Sequence, residues 1–236
     1  MITDKITPPP TTRFGWLWRI LLEIAIIVLG VLLSLWISNG FQNRQDNDRA
    51  RSYLQRLDKD LAKDEDRLKR RVEQRRTQLE QAGKLLQLIS KPITPDAAPA
   101  LSKGFQTLLW TSRFSASDAT FRSLESTGDL RLIRQDSLVD RIVTLYRNQY
   151  DGLRENNEDV TKYRDNFLLP FVVENVSFRQ AFAPKGEMKS FTQAQVGELF
   201  NHLVYERISL TSTVESYERT IGEVERLRAD VKDALQ

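Results

Sequence analysis

No cysteine occurs among the 236 residues, which excludes disulfides, zinc-thiolate centres, iron-sulfur clusters and thiol catalysis together. A cysteine-free chain suits an oxidising and a reducing compartment equally, so this absence leaves the compartment open. Histidine occurs once, at His202, so there is no paired-histidine metal set and no base for a hydrolytic serine; His202 reads as a polar or half-buried helical position. Glycine-rich phosphate loops, a Gly-x-Ser-x-Gly elbow and kinase-like motifs are also missing. These absences predict no enzymatic activity, no catalytic residue, no metal and no cofactor. Glycine (10) and proline (8) are sparse while 28% of residues are charged, a composition of solvated helices rather than sheets. The net charge of +3 comes from 35 basic and 32 acidic residues mixed along the chain, without the concentrated field of a nucleic-acid binder.

Against this polar background, residues 20–37 are almost wholly apolar. Eighteen residues at about 1.5 Å each span roughly 27 Å, close to the hydrocarbon thickness of a bilayer. Trp16 and Trp18 precede the run and Trp36 stands near its end, as interfacial indoles do. The small residues of Ser38-Asn39-Gly40 imitate a cleavage site. The apolar run, however, exceeds the roughly 7 to 15 residues of a signal peptide and a charged helical pattern follows it directly, so an uncleaved anchor is expected. Lys5, Arg13 and Arg19 lie before the span and Arg44, Arg49, Arg51 and Arg56 after it. The short basic tail reads as a signal anchor that exports the large domain; the richer second flank leaves the reverse orientation open.

Within the span, Glu23, Gly30 and Ser34 fall within about 40° of one another at 100° per residue, one small and polar stripe suited to packing against a second membrane helix. Glu23 lies four residues after Arg19, so the two are expected to neutralise each other near the interface.

Residues 1–15, with Pro8-Pro9-Pro10, predict a disordered tail; 16–40 the transmembrane anchor; and 41–236 a helical domain. Leu54, Leu57, Leu61, Leu68, Val72, Leu79 and Leu86 recur at helical spacing without a proline until Pro92. Thr94 and Pro95 then predict the start of a shorter helix with Leu101, Phe105, Leu108 and Leu109 inside. Ser117 is expected to cap a helix ending near Ser126, with Gly128 left-handed and Leu130, Leu132 and Ile133 returning to the core. A long helix from Asp136 or Ser137 to Pro170 follows, then an unassigned stretch at 171–183. The last helix, from about Thr192, carries Leu210, Val214, Tyr217, Ile221, Val224, Val231 and Leu235 at coiled-coil spacing, interrupted by Arg228. The fold class is therefore all-α: an N-terminal transmembrane helix followed by an elongated antiparallel bundle whose first and last helices are coiled-coil-like. A parallel coiled coil between chains would use the same heptads.

Two charge runs invite a site reading. Asp58, Asp60, Asp64, Glu65 and Asp66 lie on a helix without the turn of a calcium loop, and the interleaved Lys59, Lys63 and Arg67 suggest a solvated face with intrahelical pairs. Arg67, Lys69, Arg70, Arg71, Arg75 and Arg76 likewise read as solvated, an acidic partner being the other possibility. If the helix is continuous, Arg67 is roughly 45 Å beyond Ile37, too far for lipid headgroups.

Glu23-Ile24 with Gly30, then Tyr53-Leu54-x-x-Leu57-x-x-Asp60-Leu61, then Thr120-Phe121-x-x-Leu124-x-x-x-Gly128-x-Leu130-x-x-Ile133 resemble an uncharacterised family of bacterial single-pass membrane-anchored helical proteins. The resemblance reaches from the anchor to about Tyr146. It implies a bacterial source and an uncleaved anchor, so that the exported domain is expected on the periplasmic side of the inner membrane, and brings no substrate or catalytic residue. In the third motif Phe121, Leu124, Gly128, Leu130 and Ile133 form a structural turn; the alternative is a ligand or partner surface at the turn, where Glu125, Ser126, Thr127 and Asp129 would be exposed. The expected function is a membrane-tethered interaction or scaffold module whose partners are the lipid bilayer, a second copy of the chain or another membrane protein. The alternative is a sensor-like ectodomain that binds a small ligand and signals through a partner.

Overall fold

The computed structural model describes residues 13–93, 97–110, 112–176 and 191–236. The chain is helical, with no strand among the described residues. Its elements are α1 (Arg13–Ile89), α2 (Ala98–Leu109), α3 (Ala119–Thr127), a 3₁₀ turn (Asp129–Leu132), α4 (Asp136–Thr144), α5 (Tyr150–Tyr163), α6 (Leu169–Asn175) and α7 (Gln193–Ala234). Contacts divide it into two compact units, Met1–Ala50 and Arg51–Gln236.

In the first unit, α1 contains an 18-residue window of mean hydropathy 2.8, none of it buried. It is long and apolar enough to cross a membrane. Glu23, Gly30 and Ser34 are exposed, and a Cβ added at Gly30 would meet nothing within 4 Å. Arg19 and Glu23, both exposed, form no ion pair, contrary to the spacing, although equally exposed pairs four residues apart do form further along α1 at Asp66–Arg70 and Glu80–Lys84. Residues 13–15 already belong to α1, so the tail expected over 1–15 begins its helix early, and the rest of it lies outside the described residues.

In the second unit, α1 and α7 run antiparallel. Arg228 donates to Asp58 (3.1 Å) and Glu65, Lys69 to Glu225 (2.8 Å) and Arg76 to Glu218 (2.5 Å). Arg228 therefore interrupts the apolar heptads of α7 because it crosses to the carboxylates of α1. The start of α7 is a capping box: Thr192 Oγ1 accepts from the Gln195 amide, and the Gln195 side chain accepts from the Thr192 amide.

Residues 136–175 form one helical run broken by two π turns, Leu145–Gln149 and Arg164–Leu168. The buried positions explain them. An α-helix advances about 100° per residue, so each step of four overshoots by about 40°. The buried residues Leu138, Ile142, Tyr146 and Tyr150 lie at successive steps of four, as do Arg164, Leu168, Val172 and Val176. Between them Leu153, Asn157 and Val160 alternate threes and fours. A wider turn at each run of fours returns the stripe to the core. The second π turn also accommodates Pro170, which the sequence reading placed at the helix end. Its missing N–H and its ring fall where the α-helical ladder is already open, and the helix continues to Asn175.

Two other starts differ from expectation. α2 begins at Ala98 with Pro99 in its first turn, while Thr94 and Pro95 lie outside the described residues. α3 begins at Ala119 without a side-chain cap; Ser117 instead gives its amide to Asp64 (2.9 and 3.0 Å) and its hydroxyl accepts from Arg67 (3.0 Å).

The core has two clusters. One joins Leu57, Leu61 and Leu68 of α1 to Phe121, Leu138, Ile142 and Tyr146 and to Tyr217, Val224 and Val231 of α7. The other joins Leu85 and Ile89 to Leu101, Phe105 and Leu108 of α2, Leu168 and Val172, and Leu199, Leu203 and Leu210 of α7.

Candidate functional site: a buried polar layer and an apolar end

The turn motif is packed as follows. Phe121, Leu124 and Ile133 are buried and Leu130 packs against the first cluster. Phe121 stacks on Tyr146 with ring centroids 4.6 Å apart. Gly128 sits at φ +71° and its amide returns to the Glu125 carbonyl at 3.2 Å. Asp129, expected to be exposed, is buried because it accepts a hydrogen bond from the Tyr53 hydroxyl at 3.1 Å. A Cβ at Gly128 would meet no neighbour, so Gly128→Ala carries only the left-handed backbone penalty. The expected destabilisation is about 1–2 kcal/mol, read as a lower melting temperature of the full chain.

The acidic run of α1 is not a solvated face. Asp64 is fully buried, Asp60 accepts from the Thr120 hydroxyl at 2.5 Å, and Asp58 and Glu65 meet Arg228; Asp66 remains exposed. The carboxylates turn inward because α3 and α7 offer donors there. Burial pushes the Asp64 carboxyl above its ordinary value of 3.8, against the opposing hydrogen bonds from Ser117. A carboxyl whose folded value is raised binds protons more readily in the folded state, so its contribution to stability is present below about 3.8 and is lost as pH rises through the folded value. Asp64→Asn keeps an acceptor for the Ser117 amide and cannot ionise. Its melting temperature relative to the parent is expected to rise between pH 4 and pH 7; a constant difference over that range would contradict the linkage.

Between the two clusters lies a layer of buried polar side chains. Arg75, expected to be solvated with its basic neighbours, is 4% exposed. Its guanidinium donates to Gln78 Oε1 (2.8 Å), Asn157 Oδ1 (3.2 Å) and the Ser112 carbonyl (3.3 Å). Gln78 donates in turn to the carbonyls of Thr107, Leu108 and Trp110 at the end of α2, which have no partner within that helix. Asn157 and the Tyr217 hydroxyl hydrogen-bond at 2.8–3.1 Å. Beyond this layer, inside the second cluster, Arg164 of the second π turn pairs with Glu206 of α7, which lies between Leu203 and Leu210; their side chains are 2% and 0% exposed. Arg164 Nε and Glu206 Oε2 have no hydrogen-bond partner. Desolvation holds the Arg75 guanidinium below its usual range, and Arg164 adds to this. Burial pushes the Tyr217 hydroxyl up.

Sequence reasoning missed this layer, although a signal was present. Arg164 and Glu206 occupy core positions of two apolar stripes, between Val160 and Leu168 and between Leu203 and Leu210, with opposite charges. His202 accepts or donates at 2.9 Å to the Tyr163 hydroxyl and is half-buried, as expected. Among the described residues no group of acidic, histidine or cysteine side chains could hold a metal.

The elements that build the second cluster carry the exposed apolar side chains: Trp110, Phe167, Leu169, Val173, Phe200, Tyr205 and Ile208 are the exposed large apolar residues described in 51–236. Ile208 is 64% and Phe200 44% exposed. Around the first cluster the surface is instead crossed by ion pairs, Arg141–Asp230 and Arg147–Glu125 joining those between α1 and α7. There too a cleft of about 590 Å³ opens between α3 and the first π turn, lined by Phe114, Phe121, Tyr146 and Tyr150 with Arg122, Arg147 and Arg154 at its rim.

No protein-family model, curated protein or solved structure matches the chain.

Proposed function

We propose that the chain is a membrane-tethered helical interaction or scaffold module. In this reading α1 anchors it in a bacterial inner membrane, and the exported remainder is an elongated antiparallel bundle with coiled-coil-like first and last helices. Its likeness to the uncharacterised membrane-anchored family belongs to the same reading, as does the absence of enzymatic activity. The observation that carries the contact role is that the exposed large apolar side chains described in 51–236 all belong to the elements of the second cluster, with Phe200 and Ile208 beside Leu86 of α1 and Val204 of α7. Exposed apolar side chains concentrated in one part of a domain are the ones a contact would cover. The partner is a membrane-confined protein, a second copy of this chain or another, because tethering raises the effective concentration of anything held in the same bilayer.

The absence of native cysteine makes the test specific. Ile208→Cys in membranes, treated with a short bifunctional thiol- and amine-reactive crosslinker, is expected to give one adduct of defined mass. The mass of twice the chain identifies a second copy. A Cys substituted for the exposed Asp66, on the charged surface, should give none. Equal adducts from both sites, or none from either, would contradict the contact reading.

The cleft supports the second reading, a sensor-like domain for a small ligand, since its volume suits one. A metabolite that raises the melting temperature of the parent but not of Tyr146→Ala would favour it.

A further inference from the structure

We infer that the groove between α1 and α7 beside the second cluster seats an amphipathic helix of a partner protein, one basic residue of which meets Glu215 while an acidic residue two turns away meets Arg207. The inference rests on the contact reading and names what covers Ile208.

The groove follows from the two helices that form its walls. Leu79, Gly83 and Leu86 recur on α1 at steps of four and three, and Phe200, Val204 and Ile208 on α7 at steps of four. Each stripe runs beside the buried one that builds the second cluster, Leu85 and Ile89 on α1 and Leu199, Leu203 and Leu210 on α7. Two helices that turn apolar stripes to the same side leave a furrow into which the ridge of a third helix packs. Here it opens as two adjoining hollows of about 660 and 450 Å³ that share Leu86, Val204, Arg207 and Thr211. The α1 wall runs from Arg76 to Ser90, roughly 21 Å at about 1.5 Å per residue, a length suited to about four turns of helix rather than to a small molecule. At Gly83 a Cβ would meet nothing within 4 Å, so packing within the chain does not demand a glycine there. Its bare backbone leaves room for an incoming helix to lie close.

Charge at the lip selects the occupant. Arg76 is engaged by Glu73 and Glu218, and Glu80 by Lys84. Arg207 and Glu215, both exposed, form no ion pair among the described residues. They stand eight residues apart on α7 with Ile208 and Thr211 between them, about 12 Å or two turns. A helix laid along the groove therefore meets one unpaired positive and one unpaired negative charge, and complementary side chains two turns apart answer both. The α7 of a second copy, laid antiparallel, would answer them too. Two copies anchored through α1 in one membrane, however, present α7 in the same sense, so the helix comes from a different protein.

Fluorescence anisotropy on the full chain in lipid nanodiscs tests the inference, with stapled helical peptides as probes. Each peptide carries leucine at i, i+4, i+7 and i+11. One has a lysine and a glutamate two turns apart beside that stripe, and the other has glutamate at both places. The lysine–glutamate peptide is expected to bind the parent about fivefold more tightly than the diglutamate peptide, since an attraction at Glu215 replaces a repulsion. Glu215→Arg should reverse that preference. Ile208→Asp should weaken both peptides about tenfold or more and leave the melting temperature unchanged. Equal affinities in the parent, no binding of either peptide, or a preference that Glu215→Arg leaves unchanged would overturn the inference; the contact reading would still stand if Ile208→Cys gave its adduct. An adduct of twice the chain's mass would assign the groove to a second copy and overturn the inference as well.

Discussion

Glu206→Ala is expected to lower the melting temperature of the full chain by about 10 °C, the largest effect of any single substitution in the helical domain. The Arg164–Glu206 pair is buried on both sides. Removing the carboxylate leaves a guanidinium that stays protonated at any accessible pH among Leu168, Leu203 and Leu210. Breaking such a pair from one side costs about 3–5 kcal/mol, and in a domain of this size each kcal/mol moves the midpoint by about 2–4 °C. Arg164→Met with Glu206→Leu behaves differently. It removes both charges and both unpartnered atoms while keeping the volume, and a buried pair so replaced is commonly neutral or stabilising. The double variant should therefore melt near or above the parent. Circular dichroism melts of the parent, Arg164→Met, Glu206→Leu and the double variant make the cycle, with Glu206→Ala measured beside them. A double variant as unstable as Glu206→Ala would show that the polar atoms are required for more than mutual compensation.

The second large effect concerns α1. Leu29→Arg together with Leu32→Arg should move the chain from the membrane pellet to the supernatant after carbonate extraction. The two leucines are 66% and 56% exposed, near the middle of the apolar run and one turn apart. Each arginine at such a depth costs about 2.5–3.5 kcal/mol of insertion. Together they remove about 5–7 kcal/mol, more than the interfacial tryptophans replace. Arginine favours helix as leucine does, so unchanged helicity with lost membrane retention isolates anchoring from folding. Retention of the variant in the pellet would mean that something other than this helix holds the protein there.

The features legible in the sequence are those governed by local rules. The apolar run of 20–37, the helix start at Thr192 and the left-handed Gly128 each depend on a few neighbouring residues, and each lies where its pattern indicates. The inward carboxylates of Asp60 and Asp64, the burial of Arg75 and the Arg164–Glu206 pair depend on donors and acceptors dozens of residues away. Charge alone pointed those side chains to solvent. The π turns lie between these cases. Their successive steps of four at 138–150 and 164–176 are written in the sequence, but only a commitment to which residues are buried makes the steps visible. Pro170 misled for the same reason: it ends an ordinary helix, and here the helix has already widened.

The chain's cysteine-free sequence gives the most direct test of the central proposal, a membrane-tethered domain on the exported side. A single cysteine placed at Gln236 is labelled in whole bacterial cells with a membrane-impermeant maleimide after the outer envelope is made permeable. The account predicts labelling before lysis, on protein that remains in the carbonate-resistant membrane fraction. Labelling only after lysis would put the domain on the cytoplasmic side, and labelled protein in the soluble fraction would contradict the anchor itself.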